Sequence, residues 1–276
     1  MIQLTRPALK PAAQAGLSSY QTDVNSKAGF PEQVAFAKED FPKKNIKGNH
    51  VFDDVKEKLL TMSAGAERCH YCEDSKADEV EHILPKDVYP DRCYIWGNYV
   101  YACGNCNGPK NNKCAVIDLA GNLIDLTPPK KKKNQPPPIP VRPPQGRQAL
   151  IDVTTENPLD FLILDLKTGS FTFSELPDEN TIEFKRAKYT LEILRLNHRP
   201  HLKKARCEAY NAYKARLKEY IHDKVNGNAT PEELQAMMNG IKTASHPTVW
   251  QEMKRQKDFV AELTPLFEQA PEALNW

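Results

Sequence analysis

No stretch of these 276 residues is apolar for the roughly 20 positions that a membrane-spanning helix needs. The N-terminus also lacks the charged region and apolar block of a secretory signal, so no membrane is expected as a partner. Charge of one sign is scarce. With 38 Lys and Arg against 36 Asp and Glu, the formal net charge is only +2, and the overall balance does not announce a nucleic-acid binder. Only a local distribution of charge can do that. The chain has no Walker loop, no dinucleotide glycine motif and no internal repeat, so any nucleotide hydrolysis must belong to a partner. It is nevertheless long enough to bury a sizeable core as one large domain or two small ones.

What is present is concentrated between Cys69 and Lys113. Two CxxC pairs, Cys69/Cys72 and Cys103/Cys106, stand thirty residues apart. Two intervening residues form a tight knuckle with both sulfurs on one side, and two knuckles complete the tetrahedral four-thiolate shell that Zn2+ favours. Such a site is closed and therefore structural. Free thiols or a redox pair are the alternatives, but paired knuckles at this spacing favour zinc. Cys93, Cys114 and Cys207 are left over, an odd remainder that argues against a disulfide framework and for a reducing cytoplasm.

Between the knuckles, Val80 to Leu84 is apolar apart from Glu81-His82 and is ended by Pro85, which predicts a strand. Tyr99 to Cys103 alternates large aromatic and small residues and predicts a second, antiparallel strand. A short helix is expected from Cys106, with Pro109 in its first turn. On this reading Glu81, His82 and Asn107 face one another across a small cleft. An acid and an amide oxygen suit a hard cation such as Mg2+, and an imidazole can deprotonate the attacking water of a phosphodiester hydrolase. The competing reading of His82 is a buried structural histidine on an apolar strand.

This constellation resembles the HNH endonucleases, the ββα-metal nucleases. The resemblance implies an α+β fold whose ββα core is clipped by a zinc on four cysteines and embedded in mostly helical N- and C-terminal segments. It implies Glu81 and Asn107 as ligands of a catalytic Mg2+ or Mn2+, His82 as general base, and Asn98 as the brace of the loop between the strands. Lys110 matches a lysine often found three residues after that Asn, and Lys86, Lys110 and Lys113 become the expected nucleic-acid contacts. The chain departs from many relatives in carrying Glu rather than Asp before the base. The implied substrate is nucleic acid, double-stranded DNA first and RNA as the variant. The alternative is a zinc-dependent adaptor that binds nucleic acid without cutting it.

Around this core the sequence divides into a helical segment over 1–68, the core over 69–126, a Pro/Lys-rich linker or basic arm over 127–148, and a hairpin plus helical region over 149–276. In the first, Phe52, Val55, Leu59 and Met62 recur at three- and four-residue steps and predict an amphipathic helix. A helix over Gln14 to Lys27 is weakened by Gly16. Thr127 to Arg147, with Lys130 to Lys133 and its run of prolines, is expected to stay out of any helix or sheet interior. Gly169 marks a hairpin turn, a helix break is expected near Asn197 to Pro200, and Thr230-Pro-Glu-Glu233 is a capping box. The order of these features also resembles bacterial HNH proteins of Septu- and retron-type anti-phage systems. That resemblance implies an ATPase partner and a role as the effector of defence.

Overall fold

The computed structural model describes residues 1–129 and 138–276, so Lys130 to Lys133 and the prolines Pro136 and Pro137 of the expected basic arm lie outside the described residues. Three helices come first: α1 (Pro11–Asn25), α2 (Phe30–Lys44) and α3 (His50–Thr61). Each starts where its sequence allows. Prolines occupy the first turns of α1 and α2, and the Asn49 side chain caps α3 by accepting from Val51 N at 3.1 Å. Val51, Phe52, Val55 and Leu59 of α3 are wholly buried. Gly16 does not weaken α1. It is where α1 meets α3 so closely that a Cβ would lie 2.4 Å from Val51 Cγ2.

The strands β1 (Glu79–His82) and β2 (Tyr99–Ala102) pair antiparallel, with Glu81 opposite Val100 and His82 opposite Tyr99. Helix α4 (Gly104–Lys110) follows at once with Cys103 as its N-cap. The helix therefore begins two residues before Cys106, and Pro109 is its sixth residue rather than part of its first turn. Proline lacks an N–H, so the one bond that position 109 would make back to residue 105 is forfeited there.

The long loop between β1 and β2 is clamped by the N-terminal segment. Arg6 donates to the carbonyls of Trp96 and Tyr99, each at 2.8 Å. Gln21 accepts from Tyr94 N at 2.8 Å and donates to Pro90 O at 3.0 Å. The Tyr94 hydroxyl donates to Asp40 at 2.7 Å.

Beyond the core, β3 (Ala115–Ile117) is flanked by β4 (Leu123–Asp125) and β5 (Arg147–Gln148), so the expected linker joins a sheet at Arg147, past its last proline, and β6 (Leu162–Leu164) forms a hairpin with β7 (Phe173–Glu175). Gly169, at φ +75°, turns that hairpin through the left-handed backbone that glycine supplies without strain. Helix α5 (Ile182–Ile193) breaks before α6 (Pro200–Asn226), and α7 (Pro231–Lys242) carries the full capping box of Thr230 and Glu233. Then come α8 (Pro247–Arg255) and α9 (Thr264–Gln269). These helices close over the segment that carries the two CxxC knuckles. Thr248 N donates to Glu73 at 3.1 Å, and the fully buried Glu252 accepts from Leu164 N at 3.0 Å. One hydrophobic cluster runs from Met1 to Ala273. Among the described residues no helix is long and apolar enough to cross a membrane.

Candidate functional site

The fold brings the two knuckles together. The sulfurs of Cys69, Cys72, Cys103 and Cys106 lie within 4.8 Å of one another, all buried. Cys72 Sγ and Cys103 Sγ are 3.8 Å apart, far beyond a disulfide bond. That separation matches the edge of a tetrahedron whose metal–sulfur distance is about 2.3 Å. The donor set therefore fits Zn2+, and no other group of three or more His, Cys, Asp or Glu suited to a metal occurs among the described residues. His70, inside the first knuckle, ties the clip to its neighbours: Nδ1 accepts from Tyr101 N at 3.0 Å and Nε2 meets Leu59 O at 3.1 Å. Burial pulls its pKa down to about 4, so it stays neutral.

Asn98 is a buried hub of the inter-strand loop. Its amide accepts from Leu84 N at 2.8 Å and donates to the carbonyls of Leu84 and Arg92 at 2.9 Å each.

The residues of β1 divide between two faces, as the two-residue period of a strand requires. Glu79 and Glu81 point to α4. Glu81 pairs with Lys110 Nζ at 2.5 Å, and Asn107 Nδ2 donates to Glu79 at 2.5 Å. His82 points the opposite way. Its ring lies 4.4 Å from that of Phe41 and 5.2 Å from that of Tyr99, and its Nε2 is 2.9 Å from Cys93 O. It is only 4% exposed, and burial drives its pKa to about 3. The expected face-to-face arrangement of His82 with Glu81 and Asn107 is thus not what the chain adopts, because adjacent residues of a regular strand cannot share a face.

Lys110 also departs from expectation. At 1% exposure it is no surface contact for phosphate. Its ammonium is engaged by Glu81 and by His82 O at 2.7 Å. Burial pushes the Glu81 carboxyl up against the opposing pull of Lys110. Lys86 is half-buried, with its ammonium 5.3 Å above the Phe41 ring, and Lys113 is exposed. Glu81 and Asn107 offer oxygen donors of the kind Mg2+ takes. A divalent ion at Glu81 would have to share or displace the Lys110 ammonium.

Two participants escaped the sequence reading. Glu79 sits two residues before Glu81 and so on its face, a signal that strand periodicity carried. Arg199 stands out only as one of the basic residues between Arg186 and Lys218, and nothing local announces its partner: it lies 93 positions from Cys106 yet donates to its Sγ at 3.2 Å.

Over 68 residues the chain is 41% identical to a Septu protein PtuB of Bacillus thuringiensis, a match covering 23% of this chain and 26% of that protein. The chain thus spans about a quarter of the length of the curated relative it matches. No family model and no solved structure matches it.

Proposed function

We infer that this chain is a zinc-clipped nuclease of the ββα type that cuts nucleic acid, DNA first, as an effector of anti-phage defence. The observation that carries this reading is the unit β1–β2–α4, which gathers Glu79, Glu81, Asn107 and Lys110 on one face above the zinc clip. A carboxylate and an ammonium buried together cost desolvation that two apolar residues would avoid, which makes the pair a candidate for a functional role. The similarity to a Septu protein supports the defence role and, through the family resemblance, an ATPase as partner.

Glu81 and the Asn107 amide oxygen would hold a catalytic Mg2+ or Mn2+, which when bound supplies charge neutralisation to the phosphate. His82 is assigned the base. The family resemblance alone supports that assignment: the ring lies across the strand from Glu81 and Asn107 and, with a pKa of about 3, is a weak proton acceptor, so it serves as a base only if it leaves Phe41 and turns to the metal face. Asn98 keeps the loop that carries the Cys93 carbonyl in place against that ring. Lys86 and Lys113 are left to meet phosphates.

His82's burial and Lys110's hold on Glu81 favour a second reading, an adaptor that binds nucleic acid without cutting. The discriminating experiment incubates purified, zinc-loaded protein with plasmid and total RNA, with and without added Mg2+ or Mn2+. Cleavage that depends on the added ion and is lost in Glu81→Gln and Asn107→Ala is expected. A general base is typically worth about 10²–10⁴ in rate, so His82→Asn should fall by that factor. Ion-independent binding with no cleavage by wild type would leave the adaptor.

A further inference from the structure

Beside α4 lies a cleft of about 700 Å3 that the HNH motif residues do not account for. Segments far apart in sequence build its walls. Gly108, Pro109 and Lys113 come from α4 and the turn after it, Lys38 comes from α2, and Arg195 comes from the α5–α6 turn. Lys38 is neutralised by Asp87 at 2.7 Å, and Asn112 donates to the same carboxylate at 3.0 Å. Lys113 and Arg195 make no ion pair among the described residues, so they set the sign of the cleft. Two carbonyls of the turn after α5, which would repel an anion, are engaged: Leu194 O and Arg195 O both accept from Arg199 at 3.3 Å.

Arg199 does more than cap α5. Its Nη2 also donates to Cys106 Sγ, so one guanidinium staples the α5–α6 turn to the zinc clip. A Zn2+ with four thiolates carries a net charge of about −2, and a guanidinium bonded to one sulfur offsets part of it. Arg195 is four residues away in the same turn, at a left-handed φ of 52°, and Asn111 across the cleft is at φ 42°. The bonds of Arg199 to Leu194 O, Arg195 O and Cys106 Sγ tie this turn to the helix that carries Asn107.

The geometry points to this cleft as a groove for the sugar-phosphate backbone of nucleic acid, with Arg195 and Lys113 contacting phosphates and Arg199 positioning Arg195 from the zinc clip. The inference rests on the nuclease reading and adds to it a substrate-binding surface supplied by the C-terminal region.

The test measures binding of zinc-loaded full-length protein to a short fluorescein-labelled DNA duplex and a matching RNA, across a salt series and without added Mg2+. Each phosphate contact on duplex DNA contributes about 0.9 to the slope of log affinity against log salt. Arg195→Ala and Lys113→Ala should each weaken binding on the order of tenfold and flatten the slope by about one contact. Lys224→Ala, roughly 37 Å along α6 from Arg199, should change neither. Arg199→Gln should speed zinc release to a chromogenic chelator and weaken binding. Arg195→Ala/Arg199→Gln should bind no worse than Arg195→Ala, since Arg199 acts through Arg195. If wild type binds while Arg195→Ala and Lys113→Ala behave like Lys224→Ala, the groove is elsewhere, and the nuclease reading is left to its own ion-dependent cleavage assay. If wild type binds neither probe, both fall. A double variant whose losses add would remove Arg199 from the positioning role.

Discussion

At the scale of single residues, the polar face turns on one buried pair. Lys110 is 1% exposed at its side chain and Glu81 11%, so removing one partner leaves a charge with little access to water. Lys110→Met should destabilise the fold by about 3 kcal/mol, and Glu81→Gln/Lys110→Met should recover much of that loss. Urea melts of the two variants check this. A neutral Lys110→Met would mean that Glu81 is not ionised in the folded state. His82 supplies a pH signature. Its folded pKa of about 3 lies below the ordinary value near 6.5, so the unfolded chain binds the proton more readily. Its contribution is complete above pH 6.5 and is lost as pH falls toward 3. Between about pH 7 and 5 it should cost wild type about 2 kcal/mol that His82→Phe does not lose. Equal losses in both proteins would place the ring in water. The sequence made the residue types of this site legible, but not their sides of the strand. Glu81-His82 reads as a dyad on paper, yet a two-residue period separates the two side chains and brings Glu79 to Glu81 instead.

At the scale of elements, the legible parts were those fixed by local chemistry. The Thr230 box, the Gly169 turn, the α3 stripe and both knuckles stand where their residues put them. Elements fixed by distant packing were harder to read. Gly16 looks like a helix weakener because its propensity is local, whereas its value is the close approach of Val51 from another helix. Pro109 looks like a first-turn residue because nothing near it announces that Cys103 is the cap. The clip itself gives a sharp expectation. Structural zinc in small modules contributes roughly 10–16 kcal/mol of apparent binding energy that only the folded state collects. Cys103→Ser should therefore yield zinc-free, unfolded or insoluble chain, measured as metal content per chain and loss of the melting transition. A soluble variant that melts like wild type would show that the four sulfurs do not share an ion.

At the scale of the whole molecule, the C-terminal helices are not an appendage. Glu252, Thr248 and Arg186 are buried, and the last of these donates to Glu156 at 2.5 Å. The same hydrophobic cluster takes in residues from both ends of the chain. A search for a partner-binding surface is therefore better made by substitutions on exposed faces than by deleting residues 181–276, which would open the core. The opposite end of the chain carries a different consequence. Leu4 N donates to Val153 O at 2.7 Å, across 149 positions of sequence, and Arg6 holds the carbonyls of Trp96 and Tyr99. A ribosome adds about 5–20 residues per second. Leu4 must then wait on the order of ten seconds before Val153 exists to receive it, so its docking can only follow the synthesis of the whole β1–β2–α4 unit.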